Sequence, residues 1–132
     1  MIRTLTFPEA LNLAMTREME QDDNVFVFGV DVPDHKRHFG SGNDMLEKFG
    51  ARRFFGSPLS EGAATGIAIG AALCGLRPIH VHARADFVLL GMNQLVNMAS
   101  TKSYLSNGEL NVPMVVRTMV GRSWGQGPQH SK

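Results

Sequence analysis

One acid opens the least polar stretch of the chain. In Pro58-Leu59-Ser60-Glu61 a carboxylate is followed by the run GAATGIAIGAALCGL. Two readings of Glu61 stand at this point. It is an ordinary first-turn acid that favours the helix dipole, worth about a few tenths of a kcal/mol. Alternatively, it is a functional acid, because it follows a strand candidate and opens a helix, where open parallel sheets present side chains to ligands. Burial of the helix behind it would partly desolvate the carboxylate, favour its neutral form and suit it to proton exchange with a ligand. His80 and His82 alternate on a strand candidate and share a face, a geometry open to metal binding. No third ligand is spaced to complete such a site, and no metal site is expected. Arg84 follows them near the same cleft, placed to meet an acidic substrate. Cys74 lies in the apolar run and is expected to be a buried, inert thiol. GSG at 40–42 and GQG at 125–127 are too short to read as phosphate loops.

The elements that must position these residues alternate in type. Thr6-Phe7-Pro8-Glu9 reads as a capping box with Pro in the first turn. It predicts a helix to about Gln21, with Ala10, Leu13, Ala14 and Met19 toward the core. VFVFGV at 25–30 is all apolar, as in a strand buried on both faces. Residues 31–42 read as a loop, 43–50 as a short helix and 52–57 as a short strand. Ser60 is the N-cap candidate of a helix over 61–74 that closes at Gly75. Its small residues on every side point to a helix buried all round, against a second subunit. Further strands are expected at 77–83 and 112–120, with one helix over 86–106 between them. Strands alternating with helices indicate an α/β domain with a mainly parallel sheet flanked by helices.

Composition narrows the function classes. The formal net charge of +1 and the absence of a basic stripe give no footprint for nucleic acid or an anionic membrane. No apolar run is long enough to span a bilayer. The single cysteine allows no intrachain disulfide and fits a reducing, cytoplasmic setting. The chain has the length of one domain, 1–132. It stops in a glycine-rich loop soon after its last strand, so the domain is expected to be incomplete at its C-terminal end or covered there by a partner.

Four stretches, DNVFVFGVDV, LEKFGARRFFGSPLSEGAATGIAIGAALCGLRPI, NQLVNMASTKSYLSNGELNVPMVVR and GQGPQHS, resemble in order and spacing the β subunit of the E1 component of 2-oxo acid dehydrogenases. The resembling part is the pyrimidine-binding domain, shared in fold with transketolase. The resemblance implies thiamine diphosphate as cofactor, oxidative decarboxylation of a 2-oxo acid and onward acyl transfer. It gives Glu61 the role of meeting N1′ of the aminopyrimidine, with Ser60 beside it in the motif. Phe87 would stack on the ring, and His130 would line the substrate funnel and assist acyl transfer to a lipoyl arm. The family's diphosphate and Mg²⁺ motif is missing here and belongs to an E1 α-type partner. The resemblance therefore implies half a cofactor site, an inactive isolated chain, an oligomer and a lipoyl-bearing E2. Two positions depart from it: Val30 replaces a common acid, and Leu90 replaces the Gln of pyruvate-type enzymes, which leans away from pyruvate. A transketolase-like or deoxyxylulose-phosphate-synthase-like half-enzyme and a non-catalytic assembly subunit remain alternatives.

Overall fold

The computed structural model describes residues 4–34, 38–121 and 126–130. Helix α1, Phe7–Gln21, opens where Thr6 N–H donates to the Glu9 carboxylate at 2.7 Å. It buries Met15 and Met19, whereas Ala10 and Ala14 of the expected face are exposed. The long thioethers reach the sheet and the short alanines do not. Strand β1, Val25–Gly29, begins after a turn in which Asn24 N–H donates to Asp22 Oδ1 at 2.8 Å. Helix α2, Met45–Phe49, and strand β2, Phe54–Gly56, follow. Helix α3, Glu61–Leu73, leads to strand β3, Arg77–His82, and strand β4 is Val115–Thr118. All pairings are parallel, in the order β2-β1-β3-β4.

Strand alternation divides the core into two layers. Val25, Val27, Phe54, Ile79 and Val81 face Met15 and Met19 of α1 and Met45 of α2. Phe28 faces Ala64 and Ala68 of α3, with Phe26 and Phe55 packed alongside. Small residues let α3 lie close to the sheet. Gly75, at φ 92°, ends it with Leu76 N–H donating to Ala71 O at 3.0 Å, a left-handed stop that glycine allows without strain.

Within the chain α3 is buried on one side, through Ala64, Thr65, Ala68, Ile69 and Ala72, and its other side is open to the second subunit expected there. Ala63, Ile67, Gly70 and Cys74 line the open side, so Cys74 is exposed rather than buried. An apolar run does not reveal which side of a helix meets the sheet.

The helix expected over 86–106 forms as one helical run whose hydrogen-bond spacing changes along it, the backbone staying right-handed helical at Leu89, Asn93 and Thr101. Helix α4, Ala85–Val88, passes into a 3₁₀ turn at Leu89–Gly91, a π-turn segment at Gln94–Ala99, and helix α5, Lys102–Leu105. Ser100 Oγ donates to Val96 O at 2.6 Å and Thr101 Oγ1 to Asn97 O at 3.0 Å, and such back-bonding bends helices. A Cβ on Gly91 would stand 2.6 Å from Thr65 Oγ1, so the glycine lets this helical run press onto α3. Among the described residues, no helix is long and apolar enough to cross a membrane.

Candidate functional site

The strand order reverses between β1 and β3, because the chain goes from β1 out to β2 and returns to β3 on the other side. In such sheets ligands bind beyond the carboxyl ends at that switch point. A pocket of about 430 Å³ lies there. The segments leaving all four strands contribute to it: Val30 and Asp31, Ser57 and Pro58, Ala83 and Arg84, and Met119.

Glu61, Phe87 and His130 all line this pocket, although they are far apart in sequence. Glu61 is the first residue of α3 and is half-buried. Phe87 comes from α4, just past β3, and meets the His130 ring edge-on at 5.1 Å. His130 is therefore packed rather than loose in solvent, and its Nδ1 is buried without a hydrogen-bond partner. Ser60 takes the N-cap position of α3, and its carbonyl accepts from Ala64 N–H at 2.9 Å. Its side chain makes no cap bond, and Ser60 lines a neighbouring hollow of about 170 Å³ instead of the main pocket. Val30 lines the pocket, whereas Leu90 is 62% exposed and does not.

Behind Glu61 lies a polar cluster with no charge of its own. Thr65 Oγ1 donates to Glu61 O at 2.7 Å, one turn back. The same oxygen lies 3.3 Å from His80 Nε2 and 3.4 Å from His82 Nε2. With its hydrogen committed to Glu61 O, Thr65 Oγ1 is left as an acceptor facing both rings. His80 Nδ1 is buried without a hydrogen-bond partner. His80 stacks on Phe28 at 4.7 Å and meets His82 edge-on at 4.3 Å. Burial, then the neighbouring His82, pushes His80 down to about 4. Burial also lowers His82, while the Glu61 charge pulls it back up. At neutral pH both rings are uncharged and tie the start of α3 to β3.

The alternation of His80 and His82 in sequence pointed to their shared face. It did not show that Thr65 on α3 joins them. Among the described residues no cluster of three potential metal ligands exists. Arg84 lines the pocket as expected, with Nη2 donating to Gln126 Oε1 at 3.1 Å and Nη1 to Ala83 O at 2.8 Å. His38 was not singled out in the sequence, where it looks like one polar residue of a loop. It is buried, lines the pocket and is held at about 4, first by burial and then by the Arg117 charge.

Residues 3–132 match the family described as transketolase, pyrimidine binding domain. The chain is 38% identical over 130 residues to the pyruvate dehydrogenase E1 component subunit beta of Saccharomyces cerevisiae mitochondria, covering 98% of this chain and 36% of that protein. It is 40% identical over 117 residues to the 2-oxoisovalerate dehydrogenase subunit beta of Bacillus subtilis, covering 89% of this chain and 36% of that one. A pyruvate dehydrogenase E1 subunit beta-1 of Arabidopsis thaliana is 35% identical over 130 residues, and the chain again spans 36% of its length. The family match spans nearly the whole chain, so this chain belongs to the transketolase pyrimidine-binding domain family.

Proposed function

We propose that the chain supplies the pyrimidine-side half of a thiamine diphosphate site in an E1-type 2-oxo acid dehydrogenase. The observation that carries this reading is the meeting of Glu61, Phe87 and His130 in one pocket at the switch point. The pocket suits a flat, polar-edged heterocycle. It offers a carboxylate at a helix start, an aromatic ring at one wall and an unpartnered imidazole nitrogen. Glu61 would hold N1′ of the aminopyrimidine and share its proton, and Phe87 would pack against the ring. Thiamine diphosphate, when bound, supplies the electron sink that a decarboxylation needs. The chain's own contribution is to orient the ring, keep water from one side of it and hold a proton at Glu61.

His130 would line the path of a substrate carbonyl or an incoming acyl acceptor and exchange a proton there. The diphosphate and Mg²⁺ would be held by an E1 α-type subunit in a shared oligomer, and a lipoyl-bearing E2 would take the acyl group. No residue here selects among 2-oxo acids, although an exposed Leu90 gives no support to a pyruvate-type amide at the pocket.

The test is reconstitution with an α-type subunit from the same cells, followed by a substrate screen. Decarboxylation of 2-oxo acids, with sugar phosphates inert, supports the proposal. Turnover of sugar phosphates alone would make the chain a transketolase-like half-enzyme. Assembly without turnover of either class would favour a non-catalytic subunit.

A further inference from the structure

A second, apolar-walled pocket of about 330 Å³ lies on the α1 side of the sheet, lined by Phe7, Leu11, Phe39, Val120, His38 and Arg117 among others. At its base stands a cation. Arg117, on β4, is half-buried. Nη2 donates to Ser41 Oγ, and Nη1 points to Met15 Sδ at 3.8 Å, a weak acceptor. No carboxylate among the described residues pairs with it. The residues outside the described segments include no Asp or Glu. A desolvated charge left unpaired is costly, and burial already lowers the Arg117 guanidinium. Ser41, wholly buried, is itself held: its Oγ donates to His38 O at 2.7 Å, and Asn12 Nδ2 donates to its carbonyl at 3.2 Å. His38 closes the wall, its Nε2 buried without a partner.

We propose that this pocket binds a small carboxylic acid with a short apolar tail, its carboxylate on Arg117. The planar guanidinium has donors left over for a carboxylate. The walls of Phe7, Leu11, Phe39, Met119 and Val120 favour a tail over a free phosphate, which has no apolar body. The site shares His38, Phe39 and Met119 with the wall of the main pocket, but its carboxylate anchor, Arg117, needs neither Glu61 nor a partner subunit.

The experiment is calorimetric titration of the full chain with hexanoate, and separately with inorganic phosphate. Saturable hexanoate binding is expected, with phosphate about tenfold weaker or worse. Arg117→Gln should abolish hexanoate binding. Val120→Asp should do so too by placing an acid at the pocket mouth, and Val120 is 75% exposed, so the fold tolerates the change. Circular dichroism checks folding, and Val120→Asp carries the test if Arg117→Gln unfolds. Absence of hexanoate binding, equal binding of phosphate, or full hexanoate affinity in a folded variant would overturn the proposal.

Discussion

The two ends of the sheet treat polar groups differently. At the amino ends, Arg53 gathers the chain: Nη2 donates to Met19 O at 2.6 Å, Asp22 O at 2.8 Å and Val25 O at 2.9 Å, while Nη1 pairs with Asp23 at 3.1 Å. Arg77 adds an ion pair to Asp22 at 3.0 Å. Donors there meet acceptors of the same chain, including carbonyls at the end of α1. At the carboxyl ends, His38 Nε2, Ser57 Oγ, His80 Nδ1, Thr118 Oγ1 and His130 Nδ1 are buried without a hydrogen-bond partner. One more such atom, Gln94 Oε1, lies against α3. Buried polar groups are normally satisfied, and each exception costs about 1–3 kcal/mol. One end of the sheet is finished for stability and the other is left open for ligands.

If the carboxyl end is the working end, its acid should govern turnover without governing the fold. In the assembled enzyme, Glu61→Ala should lower turnover by about 10²-fold or more, the usual scale for a positioned acid or base. Steady-state assay beside a denaturation curve checks both halves of that statement, and retained turnover would remove Glu61 from the chemistry.

The neutral imidazoles give that end a second signature. His38 and His80 are each held at about 4 in the folded chain, against an ordinary value of 6.5. The unfolded chain therefore binds more protons between those limits, and stability falls as pH drops from about 6.5 toward 4. From pH 7 to 5 each ring should cost about 2 kcal/mol, with His82 adding in the same direction. Urea denaturation at the two pH values measures this. His80→Gln should flatten the dependence, and a pH-independent midpoint would contradict the burial described.

The amino end should respond in the opposite way. Arg53→Ala strips several carbonyls of their donor at once and should destabilise by about 2–4 kcal/mol, leaving pocket chemistry unchanged in the protein that remains folded. A smaller loss, about 1–3 kcal/mol from overpacking, is expected for Gly91→Ala, which pushes a methyl at Thr65 and loosens the histidine cluster. The smallest effect should come from alkylating Cys74. A thiol reagent should modify the native chain quickly and leave the denaturation midpoint within about 0.5 kcal/mol.

Much of this contrast is legible in the sequence. The capping box at Thr6, the apolar run at 25–30 and the Gly75 stop are local signals, and they mark α1, β1 and α3 to within a residue or so of their ends. Glu61, Phe87 and His130 were found through a resemblance carried by quoted motifs, and the sheet topology then brings them together. What was hidden depends on tertiary contact. Cys74 and the open side of α3 required knowing which side meets β3. The close approach of two helices at Gly91 required that glycine to meet Thr65. Arg117 and His38 required a loop to fold back across β4, which no local pattern encodes.

The central claim, that this chain holds half of a cofactor site, is tested most directly by titrating thiamine diphosphate into the chain alone and into the chain assembled with its α-type partner. The account predicts weak or no binding alone, tight binding in the assembly, and a large loss of affinity there with Glu61→Gln. Tight binding by the chain alone, or assembly binding indifferent to Glu61→Gln, would contradict it.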